Sequence, residues 1–154
     1  TVVNYLDYMK EAFLLFSVAN AFGKLTEKLK TPKYYFMDTG LLATYPNRYD
    51  TALLENAVAL ELLRRYGPEN VMYYNDGRSK VDFYVPSGDL AIQVCWELRK
   101  TASTFERETE ALRRFAGFKP EARRLILTLS ESERLTVGGV EIEVMPAWRW
   151  MLQA

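Results

Sequence analysis

The stretch from Ser79 to Leu98, SKVDFYVPSGDLAIQVCWEL, restricts the fold more than any other part of the chain. Two largely apolar runs flank Pro86-Ser87-Gly88-Asp89, the pattern of a β-hairpin closed by a four-residue loop. Strand alternation sets Val81, Phe83 and Val85 on one face, and Lys80, Asp82 and Tyr84 on the other. In the second strand Ile92, Val94 and Trp96 share a face, opposite Ala91, Gln93, Cys95 and Glu97. The same parity is expected to bring Asp82 and Gln93 together on one side of the sheet. Polar groups on otherwise apolar strands are costly unless hydrogen-bonded, so this pair needs an explanation.

Composition narrows the chemistry. The 154 residues include no histidine, which removes Ser-His-Asp and Cys-His catalysis and leaves an ordinary zinc site without ligands. Hydrolysis would have to rest on carboxylates, lysine or a hard cation held by oxygen. Lys+Arg and Asp+Glu both number 20, a balance unlike that of a strongly basic nucleic-acid binder, although a local patch remains compatible with it. With 49% hydrophobic residues the chain has the material for a sizeable core. One cysteine excludes an internal disulfide and suits a reducing compartment. There is neither a membrane-spanning apolar run nor a signal-peptide pattern, so the expectation is a soluble cytoplasmic protein with no membrane partner.

Val2, Leu6, Met9 and Phe13 recur at helical spacing behind Thr1, a residue suited to capping. Leu14 to Ala19 reads as a strand. A polar segment carrying Lys24, Lys28, Lys30 and Lys33 follows, and Tyr34 to Met37 resumes as a strand. A helix followed by a ribbon with a basic tip matches the second half of a winged helix; packing of both on the main domain is the alternative. Thr51 to Arg65 is strongly helical and apolar on most sides, which predicts a largely buried helix stopped by Gly67-Pro68. A strand over 70–74, the hairpin, a helix over 104–118 with an exposed polar face, and strands over 124–129 and 140–145 complete the order. A charged turn with Gly138-Gly139 separates the last two strands, and Pro146 to Leu152 closes the chain as a short apolar helix or cap. The pattern is α/β with a mixed central sheet. Residues 1–45 are expected to form an N-terminal helix and ribbon, and residues 46–154 the main domain.

Six short segments resemble one family in their order and spacing: Tyr35 to Leu42, Leu53-Leu54-Glu55-Asn56, Lys80-Val81-Asp82-Phe83, Ala91-Ile92-Gln93-Val94, Arg107-Glu108 and Pro146 to Trp150. On these residues the chain resembles the PD-(D/E)XK nuclease-like domain at the C-terminus of archaeal and bacterial AAA-type ATPases. The resemblance implies a restriction-endonuclease-like mixed sheet flanked by helices. It also makes Thr1 to Phe13 similar to the last helix of a preceding winged-helix unit. An ATPase and DNA are the partners it suggests. The chain itself has no GxxxxGK[ST] phosphate loop, so it is not the ATPase.

The resemblance further implies that Glu55, Asp82 and the position of Gln93 belong to one catalytic centre, with Glu55 and Asp82 holding Mg2+. The lysine expected two positions beyond Gln93 is replaced by Cys95. Two acids and an amide hold magnesium more loosely than three acids, and a thiol brings no positive charge to a developing phosphorane. Lys80, Lys100 and Arg107 are the candidate replacement cations. Two functions follow. One is a catalytically degenerate nuclease-like module that serves an ATPase through protein or nucleic-acid contacts. The other is a metal-dependent DNA nuclease with a relocated lysine. Each residue also has a purely structural reading. Asp82 then bonds nearby backbone, Glu55 pairs with an arginine such as Arg64, Arg107 or Arg114, Gln93 joins a buried polar network, and Cys95 is a small core residue. Lys24, Lys28, Lys30 and Lys33 form either a solvated ribbon tip or a DNA-contacting wing.

Overall fold

The computed structural model describes residues 1–23, 31–45 and 50–153. Helix α1 (Val2–Glu11) precedes an antiparallel ribbon of β1 (Leu15–Asn20) and β2 (Lys33–Phe36). After the short α2 (Thr39–Ala43) comes the long α3 (Asp50–Tyr66). Strands β3 (Met72–Asn75), β4 (Lys80–Val85) and β5 (Leu90–Val94) form an antiparallel meander. Helix α4 (Ala102–Phe115) carries the chain across to β6 (Arg123–Thr128), parallel to β5. Strands β7 (Glu133–Val137) and β8 (Val140–Pro146) and the terminal α5 (Ala147–Leu152) complete the chain. The strands make one eight-stranded mixed sheet in the order β2-β1-β3-β4-β5-β6-β8-β7. No described helix is long and apolar enough to cross a membrane.

The sheet is covered on both faces. Val58, Ala59 and Leu62 of α3, with Ala147 and Trp150 of α5, pack on Phe83, Val85, Ile92, Val94 and Leu127. Ala111, Leu112 and Phe115 of α4 pack on Tyr84, Ala91, Cys95, Ile126 and Val144 on the opposite face. Helix α3 is rich in Ala, Leu, Glu and Arg, all good helix formers, and ends where Gly67 adopts φ +77. It buries only one stripe, formed by Asn56, Val58, Ala59 and Leu62, and Arg64 stands exposed on its outer side, so it is less enclosed than its apolar content predicts. Helix α4 is capped by Thr101, whose hydroxyl accepts from the Thr104 amide at 3.0 Å.

Two departures from the sequence-based expectations matter. The charged segment expected as a turn before Gly138 is the edge strand β7, antiparallel to β8. Its charged, half-exposed side chains suit an edge strand, where polar residues discourage pairing with other chains. The ribbon does not stand apart from the main domain either. Ala19 and Asn20 of β1 pair in parallel with Met72 and Tyr73 of β3, and the Asn20 carboxamide bonds both the N–H and the C=O of Asn75. Residues on both sides of the expected division at 45/46 thus share one sheet. Lys24, Lys28 and Lys30 lie outside the described residues.

Candidate functional site

Strict alternation along β4 fails at Asp82. Met72 pairs with Tyr84 and Tyr74 with Val81, so three steps on β4 match two on β3. The extra residue is a β-bulge. Val81 therefore packs on the α4 face, while Phe83 and Val85 pack on the α3 face. The bulge turns the Asp82 carboxylate toward α3. Gln93 keeps the parity of Ala91 and Cys95 and turns toward α4. The expectation that both side chains leave the same face is thus corrected in direction only: the inserted residue turns Asp82 toward α3 and leaves Gln93 toward α4, while both still border the same cleft.

At the bulge the regular β4–β5 pairing, Phe83 with Ile92, Tyr84 with Ala91 and Val85 with Leu90, gives way to side chains. Gln93 Oε1 accepts from the Asp82 N–H at 2.7 Å, and Gln93 Nε2 donates to the Lys80 carbonyl at 3.2 Å. A carboxamide presents one acceptor and two donors, so Gln93 stands in for a peptide of the missing ladder. Its second donor goes to Glu108 Oε2 at 2.8 Å. In return Asp82 Oδ2 accepts from the Val94 N–H at 3.1 Å. Gln93 is thereby committed to its neighbours' backbone and to Glu108, as its network reading proposed. A glutamate there would satisfy only the Asp82 amide.

The other oxygen of Asp82 meets a cation from the ribbon. Lys33 Nζ lies 3.0 Å from Asp82 Oδ1 and 3.1 Å from Glu55 Oε1. It also lies 5.6 and 5.8 Å from the ring centroids of Tyr73 and Phe83. The Tyr35 hydroxyl donates to the same Glu55 oxygen at 2.7 Å. Burial works against the Lys33 ammonium, but Asp82 and Glu55 outweigh it and hold its pKa above the ordinary lysine value. Burial, reinforced by Glu55, holds the Tyr35 phenol far above its usual range. Lys33 is therefore not an exposed wing residue, and the partner of Glu55 is Lys33 rather than an arginine. Arg64 pairs with Glu61, Arg107 with Glu108 and Arg114 with Glu110.

Glu55, Asp82 and Gln93 all line one open cleft of about 550 Å³, with Arg78, Lys80 and Arg107 at its rim. Of the anticipated replacement cations, Lys80 is exposed beside the bulge and contributes its carbonyl. Lys100 is exposed at the end of the short turn Leu98–Lys100 and is not among the residues lining the cleft. Arg107 forms two bonds to Glu108 Oε1. Burial raises the Glu108 carboxyl pKa, partly countered by the bond from Arg107. Cys95 is buried in the α4 core, and burial pushes its thiol up to about 12, a core residue with little nucleophilic character.

Sequence reasoning gave Lys33 another role and passed over Asn56. Lys33 reads like the other lysines of its segment, and only the fold shows it turning inward. Asn56, beside Glu55, is also buried. Its Oδ1 accepts from the Phe36 N–H at 2.8 Å, and its Nδ2 donates to the Phe36 carbonyl and to Thr39 Oγ1, each at 3.0 Å. A polar residue beside the Ala and Leu of α3 was its available signal.

The donor set does not fit Mg2+. Asp82 Oδ1 and Glu55 Oε1 already hold the ammonium, Gln93 Oε1 holds backbone, and no group of three acidic, His or Cys ligands exists among the described residues.

Residues 1–51 match a domain of unknown function, DUF8612. The chain is 33% identical over 162 aligned positions to the uncharacterized protein MJ1544 of Methanocaldococcus jannaschii, covering 98% of this chain and 36% of that protein. It is 28% identical over 159 positions to an uncharacterized protein of Haemophilus influenzae, covering 96% of this chain and 36% of that protein. The chain thus spans about a third of the length of the curated relatives it matches. No solved structure matches.

Proposed function

We propose that this chain is a nuclease-like module, catalytically degenerate and accessory to an ATPase, that acts through contacts with protein or nucleic acid. The observation that carries this reading is the Lys33 ammonium seated between Glu55 and Asp82. Phosphodiester hydrolysis at a carboxylate centre needs a metal to ready water and to offset charge on the phosphorane. Here those carboxylates already share an ammonium supplied by the chain itself, and Gln93 is tied to backbone. Supporting the restriction-endonuclease-like reading are a glutamate-bearing helix, a three-stranded meander carrying Asp82, and a crossover helix leading to a parallel strand. The association with an ATPase and with DNA comes from the resemblance of the six segments named above; Arg78 and Lys80 at the cleft rim suit an anionic partner.

The second reading, a metal-dependent nuclease with a relocated lysine, is favoured by the same ammonium, since Lys33 brings to Asp82 the charge that Cys95 lacks. Incubation with single-stranded, duplex and branched DNA and Mg2+ or Mn2+ separates the two. The degenerate reading expects no cleavage above that of the Asp82→Ala variant. Cleavage abolished by both Asp82→Ala and Lys33→Met would establish the nuclease instead.

A further inference from the structure

A lysine on an edge strand has water within reach, and its compact ammonium is strongly hydrated there. Lys33, the first residue of β2, turns inward instead and retains only 17% of its side-chain exposure. Two carboxylate oxygens, from different elements, and two aromatic rings replace its hydration shell. The dependence runs both ways. A desolvated ammonium needs anions beside it, and two carboxylates fixed at one point by α3 and β4 repel each other without a cation.

A carboxylate from each of two rigid elements, fronting an open cleft, is also the donor type that a hard divalent ion takes while keeping several waters. The ammonium and such an ion would contact the same Glu55 and Asp82 oxygens, so they exclude each other. We propose that Lys33 is a tethered cation occupying a latent divalent-cation seat, and that it keeps Mg2+ and Mn2+ out of the unmodified chain. The proposal deepens the reading of Glu55 and Asp82 as a remnant metal position and rests on it. It also links the seat to the ribbon: an ion that displaced Lys33 would deprive β2 of its ion-pair anchor to the main domain and leave it held by the β1 ladder, Tyr35 and Asn56.

The test is Mn2+ binding at neutral pH, followed by loss of the free-ion electron paramagnetic resonance signal. The proteins are the parent, Lys33→Met, Lys33→Gln and the double variant Lys33→Met with Asp82→Asn. The expected result is one saturable Mn2+ site in Lys33→Met, at least about tenfold tighter than anything in the parent, because a full positive charge within about 4 Å has been removed. The double variant should lose that site. If Lys33→Met folds only poorly, Mn2+ should restore its melting transition, since an ion bound only by the native state stabilises it. Lys33→Gln keeps hydrogen-bond donors but not charge, and should also gain Mn2+ affinity. Equal affinity of parent and Lys33→Met overturns the proposal, as does the absence of both Mn2+ binding and Mn2+ rescue from the two Lys33 variants. DNA cleavage is not read in this experiment. Cleavage by the parent bears on the catalytic reading, whereas equal Mn2+ affinity bears on Lys33 alone.

Discussion

Gln93 and Lys33 have defined roles because each joins groups from separate elements, Gln93 bridging β4 to α4 and Lys33 bridging α3 to β4. Gln93 supplies an acceptor to the Asp82 amide and donors to the Lys80 carbonyl and Glu108. Gln93→Glu, which restores the acid of the resembled family, sets a carboxylate against a carbonyl and a second carboxylate. It should cost roughly 1–3 kcal/mol of stability at neutral pH, measured by urea unfolding, with part of the loss recovered in acid where the new group is protonated. Lys33→Met leaves two carboxylates without their shared cation and should cost about 3 kcal/mol. The raised Lys33 pKa gives this loss a pH signature. A group whose folded pKa is raised contributes stability that is fully present below its unfolded value, 10.5 for lysine, and is lost as pH rises through the folded value. The gap between parent and Lys33→Met should hold from pH 7 to about 10 and narrow above it. The Tyr35 phenol, also raised, weakens both proteins in that range and largely drops out of the difference. A gap that widens in alkali would refute the ion pair.

At the scale of elements, β2 is an edge strand held by side chains of α3 as well as by β1. Asn56 pairs with both polar groups of Phe36, as a neighbouring strand would. Asn56→Asp keeps the acceptor but turns a carboxylate toward the Phe36 carbonyl, and should lower stability by roughly 1–3 kcal/mol. Faster hydrogen exchange at the β1–β2 amides, with α4 unaffected, would place the effect on the ribbon. Most elements were legible in the sequence because their signals are local. The apolar run of α3, the Pro-Ser-Gly-Asp loop between β4 and β5, and the apolar strands β6 and β8 all appear where their residues require them. The site was legible only in part. Asp82, Gln93 and Glu55 stand out as polar residues among apolar ones, but nothing in SKVDFYV announces an inserted residue at Asp82. The bulge is set by pairing with β3, a relation between strands. Lys33 eluded the reading for a similar reason, since its direction depends on carboxylates 22 and 49 residues away. The β7 segment was read as a turn because its charged residues mask a strand whose partner, β8, supplies the ladder.

For the whole molecule, one mixed sheet covered on both faces joins the ribbon to the main domain, and the cleft lies where β4 bulges against β3 and its regular pairing with β5 ends. The ion pair at that point ties β2, α3 and β4 together, so the centre that resembles a metal site works as a three-element clasp. This predicts a molecule indifferent to divalent ions. Thermal unfolding of the unmodified chain across a Mg2+ titration, with ionic strength held constant, addresses that directly. The account predicts an unchanged melting temperature, because an ion with no native-state site adds no stability. A saturable rise in melting temperature with Mg2+ that disappears in Asp82→Ala would contradict it.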